Sequence, residues 1–496
     1  MTDILFANAY FYRLDRKQWR FRQPYPPLAT IFAAAVLRRQ GLSVALFDTN
    51  LRKSPFEIVP ELETHQPEFF VLYDDGFNYL SKMCLTHMRD AAFVMIREAR
   101  NRNAVVIVSS SDASDHHEKY LQAGANYILR GEAEETLLEL IIHLKAHQEV
   151  DGIQGLTYKK NNQITSTPPR GVLRNLDELP LPAWDLVRIE DYRRIWLRHH
   201  GYFSLNLATT RGCPYKCNWC AKPIYGNRYN SRSPEHVIAE IELLMENYGA
   251  AHFWMCDDIF GLKPGWIQQF NRIVKEKRLK FNYKIQSRVD LLLEPETIEC
   301  LAESGAETVW VGAESGSQKI LDAMDKGITI SQIYKASALL REKKIRVAFF
   351  LQLGYLGEKK EDIDLTIKML LDILPEEAGI SVSYPLPGTK FYEKVKHQLR
   401  EKQNWTNSDD LAMMFQNTFH NDYYKHLHRY VHSLYRRKKA LVRLGYVAAR
   451  PLELSRNDLK SFLSVIYFSG KALLLKRSLS KIGWLESKIE TAEMTM

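Results

Sequence analysis

The chain has 496 residues, 45% of them apolar, and a formal net charge of +9. Such a length exceeds one ordinary core and suggests about three domains. No apolar run reaches the roughly 18 residues of a membrane-spanning helix, and the start Met-Thr-Asp-Ile-Leu-Phe has no basic segment followed by an apolar one, so a cytoplasmic protein is expected.

Residues 1–150 alternate short apolar runs with helix-period patterns, the sequence form of an α/β doubly wound parallel sheet. Strands are predicted at Ile4–Ala7, Val44–Phe47, Phe69–Leu72, Val105–Val108 and Tyr127–Leu129, with helices near 28–40, 54–64, 81–101, 115–123 and 134–147. Ligands of such sheets sit at the carboxyl ends of the strands. The loops there are Tyr73-Asp74-Asp75-Gly76, Ser109-Ser110-Ser111-Asp112 and Arg130-Gly131-Glu132, and no Gly-x-Gly-x-x-Gly follows the first strand, which disfavours a dinucleotide.

Residues 151–200 read as a linker with a short hairpin-like segment and then Leu179-Pro-Leu-Pro-Ala-Trp184, where proline blocks regular structure. Over 201–400 a second alternation predicts strands near 203–209, 251–256, 281–286, 307–312, 346–353 and 379–384, a partial (β/α)6 barrel of TIM type with its site at the strands' carboxyl ends. Residues 401–496 turn helical, basic and aromatic. Basic runs such as Arg436-Arg437-Lys438-Lys439 read as a solvated face, and nucleic acid is not expected.

Six cysteines in so long a chain form no disulfide framework, and three of them, Cys213, Cys217 and Cys220, fall in one loop after the first barrel strand. Gaps of three and two residues let that loop hold three corners of a 4Fe-4S cube and leave one iron open. Zinc would need a fourth ligand at suitable spacing, and none occurs nearby. Cys256 and Cys300 read as small buried residues.

Residues 205–400 resemble the core of the radical S-adenosylmethionine superfamily, in which the open iron chelates the amino and carboxylate groups of S-adenosylmethionine and reduction releases a 5′-deoxyadenosyl radical. The resemblance implies that Trp219 covers the cluster near the adenine. It assigns the amino group to Asp257 or Asp258, where many members have Gly-Gly-Glu. Ser287 and Arg288 suit a ribose and a carboxylate; Glu314 and Ser315 match a cofactor-contacting segment. Gly357 lies in a segment, Phe350–Glu358, like the family's adenine support. The bland alternatives are helix capping by Asp257 and Asp258 and an ion pair between Arg288 and Glu314.

From residue 3 to about 400 the chain resembles the cobalamin-binding subgroup, whose first domain is Rossmann-like, or flavodoxin-like. The segments that carry this are Pro24-Tyr-Pro26-Pro-Leu28, Tyr73-Asp74-Asp75-Gly-Phe77-Asn78 and Gly131-Glu132-Ala-Glu134, with Ser109 and Ser110 implied near the nucleotide tail. The Asp-x-His-x-x-Gly loop of other cobalamin proteins is missing and the first histidine is His65, so cobalamin is expected without a histidine on cobalt.

The expected activity is cobalamin-dependent radical methylation of an unactivated carbon in a small-molecule or lipid-like substrate, with ferredoxin or flavodoxin as electron donor. The rival is a cyclase or oxidative rearrangement enzyme of the same layout. A methylthiolating enzyme would carry three more cysteines in its first domain, whereas residues 1–200 hold only Cys84. A non-catalytic cobalamin carrier conflicts with the complete cysteine triad. Residues 459–476, apolar between basic side chains, suit either peripheral contact with a membrane or packing on the barrel.

Overall fold

The computed structural model describes residues 2–221, 224–399, 401–449 and 456–493. The first sheet contains β1 (Ile4–Ala7), β2 (Val44–Phe47), β3 (Phe69–Tyr73), β4 (Val105–Ser109), β5 (Tyr127–Leu129), β6 (Leu156–Lys160) and β7 (Gln163–Ser166). Its order is β2-β1-β3-β4-β5-β6-β7. Strands β1 to β5 are parallel, whereas β6 and β7 add antiparallel. Every residue of β1 and β3 is buried, as expected of parallel strands covered on both faces. The hairpin read as part of the linker therefore extends this sheet past residue 150.

The helix Leu28–Arg39 buries all of Leu28–Leu37. Its outer side is covered by the segment after the hairpin, where Leu176 and Leu179 pack on Val36 and the Ala183 amide donates to Ile31. Trp184 donates its indole N–H to Glu240 at 3.0 Å. A further helix, Ile189–His200, buries Trp196, which donates to the Pro24 carbonyl.

The second sheet is an open half-barrel built from β8 (Ser204–Leu207), β11 (His252–Met255), β12 (Asn282–Ser287), β13 (Ala306–Glu314), β14 (Arg346–Leu353) and β15 (Glu377–Val382). These six are all parallel and add in chain order. Between β8 and β11, the short strands β9 (Thr210–Arg211) and β10 (Asn230–Ser231) pair antiparallel and close the base of the cysteine loop.

After β15 the chain returns to the first domain. The Thr86 and His87 amides donate to the carbonyls of Trp405 and Thr406, and the Tyr384 hydroxyl donates to Met83. Two long helices, Asn421–Ala449 and Arg456–Glu493, then pack on each other. The first also packs on the barrel through Tyr424, Leu427, Val431 and Tyr435. Among the described residues the main neighbour of the second is the first helix, rather than the barrel itself.

Candidate functional site

The three cysteines lie on the loop that leaves β9. Gly212, just before Cys213, has φ +81°, and a Cβ there would meet the Arg228 carbonyl at 2.2 Å, so only glycine fits. Asn218 pins the loop's far side. Its amide donates to Met324, its side chain donates to Ala323 at 2.7 Å, and its side-chain oxygen accepts from Tyr355 at 2.6 Å. Trp219 packs against the apolar cluster that contains Ile320, Met324 and Tyr355. Its indole nitrogen is buried without a hydrogen-bond partner, and the Lys326 ammonium lies 6.0 Å from its ring.

The two aspartates after β11 have separate environments. Asp257 is buried and accepts from the amides of Thr209 and Thr210 and from the Thr209 hydroxyl, all within 2.8 Å. Burial pushes its carboxyl up to about 6 against those hydrogen bonds. It ties β11 to the root of the cysteine loop. Asp258 is more open and meets Lys82 of the first domain at 2.7 Å. Neither caps a helix, as the bland alternative supposed.

Arg288 and Glu314 do not pair with each other. Arg288 lies over the Tyr215 ring at 3.7 Å and bonds Asp290, while Glu314 is held by Lys326 at 2.8 Å. The backbone at Glu314 has φ 56°, next to a register shift in β13, which turns its carboxylate toward Lys326. Ser287 ends β12 and is buried. Ser315 is fully buried with its hydroxyl on Thr366, so it supports the loop from behind. Gly357, at φ 78°, leads into Glu358, which accepts from the Gly354 amide at 2.5 Å. The other Glu358 oxygen is buried without a partner, and burial pushes this carboxyl up to about 8.

In the first domain, Asp74 and Asp75 fold inward. Asp74 accepts from the Ala9 and Asp75 amides, and Asp75 accepts from Ala29 and Phe77. Burial raises them to about 6 and about 7. Asn78 caps the helix Tyr79–Lys82, Ser110 caps Ser111–Asp115, and the Ser109 carbonyl accepts from Asp74. Tyr73 is buried, its carbonyl accepting from Thr30, and the Pro26 carbonyl accepts from Asn206 of β8. Phe77 stacks on Tyr225 of the cysteine loop's outgoing arm with centroids 5.5 Å apart. A Cβ on Gly76 would strike Ile224 at 2.6 Å. Gly131 has φ 76°, and the next residue, Glu132, bonds Arg211 of β9 together with Glu134. The loops after β3 and β5 thus lie against the cysteine loop itself.

Sequence reading missed Lys82, Arg211 and Lys326, three basic side chains at most 11% exposed, each on a carboxylate. Arg211 carried a readable signal, since it stands two residues before Cys213; the other two come from distant segments. It also gave no role to Tyr79 alone. This ring is 53% exposed, and its phenol is raised by the atoms packed around it and by Cys220, Glu314 and Tyr384, which puts it beside the cysteine loop. His65 bonds Thr2 at the opposite end of the sheet, remote from the strand-end loops.

The donor set fits an iron-sulfur cluster in chemistry: three thiol side chains on one pinned loop, none in a disulfide. Lys82 feels the charge of Cys220, and Arg288 and Lys326 feel that of Cys217, so cations surround the loop. Among the described residues the side chains are not drawn into a group of three or more at metal-binding distance. For a corrin, Asp74 and Asp75 turn inward and offer little, and Tyr79 is the exposed side chain at the end of their loop.

Comparison with known proteins agrees with this geometry. Residues 207–370 match the Radical SAM superfamily. The chain is 31% identical over 280 residues to an uncharacterized methyltransferase, PH0819, of Pyrococcus horikoshii, covering 56% of this chain and 60% of that protein. It is 26% identical over 283 residues to an anaerobic magnesium-protoporphyrin IX monomethyl ester cyclase of Cereibacter sphaeroides, covering 55% of this chain and 45% of the relative. The match thus spans about half the length of these relatives. The solved structure of OxsB, a cobalamin-dependent S-adenosylmethionine radical enzyme with aqua-cobalamin bound, shares the fold at TM-score 0.71 and 18% identity, covering 95% of this chain and 72% of that one. Residues 207–370 are thus similar to the radical S-adenosylmethionine superfamily, and the three-cysteine loop lies within them.

Proposed function

We propose that the chain is a cobalamin-dependent radical S-adenosylmethionine methylase acting on an unactivated carbon of a small-molecule or lipid-like substrate. One observation carries this reading: the carboxyl ends of two parallel sheets meet across a single three-cysteine loop, joined by Arg211 with Glu132 and Glu134, by Phe77 with Tyr225, and by Lys82 with Asp258. Those strand ends are where both sheet types take ligands. When bound, a 4Fe-4S cluster supplies the electron that splits S-adenosylmethionine, and a corrin carries the methyl group.

The chain's own residues hold and orient. Cys213, Cys217 and Cys220 ligate the cluster through their thiolates. Asp258, the more open aspartate, takes the methionyl ammonium, while Asp257 keeps the loop root in place. Arg288 faces the carboxylate and Glu314, set by Lys326, the ribose side. Trp219 would cover the cluster, and the exposed Tyr79 would meet the corrin. Reduced ferredoxin or flavodoxin is the electron donor.

The reading is tested by anaerobic reconstitution of the full chain with iron, sulfide and hydroxocobalamin, followed by incubation with cell extract and S-adenosylmethionine labelled in its methyl group. A product that gains one labelled methyl is expected. The cyclase reading, favoured by the Cereibacter relative, gives a product without the label. Full-length protein that takes up iron but no cobalamin removes the methylase assignment.

A further inference from the structure

The helix Arg456–Glu493 has two apolar faces, and among the described residues only one has a neighbour. Ala472 and Leu479 are buried on the side of the helix Asn421–Ala449. On the other side Phe462, Leu463, Ile466, Tyr467, Leu473 and Leu474 are each between 54% and 66% exposed. At the helical turn angle these six fall within an arc of about 140° and run about 18 Å along the axis. Tyr446, near the end of the preceding helix, is 73% exposed. A continuous apolar strip of this kind marks an interaction surface.

Charge selects the partner. Between residues 424 and 482 the chain carries fourteen Lys and Arg against two Asp and Glu, and one of those two, Asp458, is paired with Arg443 at 2.8 Å. By helical position, Lys460 and Lys471 border one rim of the strip and Lys476 the other. A second copy would bring like charges together, and a nucleic acid would leave the strip in water. Among the described residues no helix is long and apolar enough to cross a membrane.

We propose that this helical hairpin rests on the surface of an anionic bilayer, its strip sunk at the boundary between headgroups and acyl chains and its lysines against lipid phosphates. The inference stands on the hairpin alone and does not depend on the reaction catalysed.

The test is flotation of the full-length protein with vesicles of equal parts phosphatidylglycerol and phosphatidylcholine, beside vesicles of phosphatidylcholine alone. Binding to the anionic vesicles at low salt, weakened by high salt, is expected. The pair Ile466→Asp and Leu474→Asp should abolish it with unchanged far-ultraviolet circular dichroism. The pair Lys471→Glu and Lys476→Glu should lower partitioning about tenfold or more. Failure of the native protein to float, equal flotation on both vesicle types, or undiminished flotation of the Asp pair overturns the proposal. A dimer seen by light scattering that the Asp pair dissolves, without flotation, assigns the strip to a second copy instead and also overturns it.

Discussion

The guanidinium of Arg211 reaches Glu134 at 2.8 Å with one terminal nitrogen and Glu132 with the other, so the turn leading into Cys213 is anchored in the loop after β5. All three side chains are at most 4% exposed. Arg211→Ala would leave two buried carboxylates facing each other, a loss of about 3–5 kcal/mol. Arg211→Lys offers one compact charge where a fork spans two partners and should fall between. Urea unfolding of the three proteins measures the order, and an alanine variant as stable as the native chain would contradict it.

Asp257 and Asp258 should separate into stability and binding. Asp257→Asn sets an amide donor against the Thr209 and Thr210 donors and should cost about 1–3 kcal/mol. Asp258→Asn keeps an acceptor for Lys82 but removes the charge facing an ammonium, so the KM for S-adenosylmethionine should rise about tenfold with a smaller change in kcat. Thermal melting and the rate of 5′-deoxyadenosine formation against cofactor concentration test the pair.

Stability should fall as pH rises from about 5 to 8. Burial raises Asp74 and Asp257 to about 6, Asp75 to about 7 and Glu358 to about 8. Each keeps its proton in the folded state after the unfolded chain has lost it, so unfolding releases protons across that window. Glu358 alone contributes up to about 4–5 kcal/mol of this slope, at roughly 1.4 kcal/mol per pH unit. Glu358→Gln keeps a carbonyl for the Gly354 amide and should flatten the upper part of the profile, making the variant the more stable protein at pH 8. Denaturant midpoints at several pH values give the answer.

Changing Cys213, Cys217 and Cys220 together to Ala should remove iron while cobalamin binding persists, because the proposed corrin-facing side chain, Tyr79, belongs to the first domain. Formation of 5′-deoxyadenosine under dithionite should vanish as well. Metal analysis with chromatography of the nucleoside checks both, and cleavage that survives would refute the role of the three thiols.

Much of the frame was legible in the residues. Ile4–Ala7, Val44–Phe47 and Tyr127–Leu129 have the predicted ends, because short apolar runs bounded by polar loops leave the chain few other ways to bury them. The hairpin at 156–166 was visible locally, but its membership of the first sheet depends on pairing with Tyr127–Leu129, a partner about thirty residues away. Of the site, the cysteine loop stood out by spacing. The partners of Arg288 and Glu314 did not, since each depends on the conformation of another segment: Arg288 turns to Asp290 and the Tyr215 ring, and Glu314 to Lys326.

By itself the amino-acid sequence determined the two alternating α/β patterns, the three-cysteine loop and the residues at successive strand ends, because periodicity and ligand spacing are local properties of the chain. Only the tertiary structure decided that Asp257 is a structural clamp and Asp258 the open acid, that Lys82, Arg211 and Lys326 supply the buried cations, and that the last helix leaves an apolar strip uncovered. Burial and charge pairing are set by which distant segments meet, and a buried charge is tolerated only where such a meeting supplies its partner.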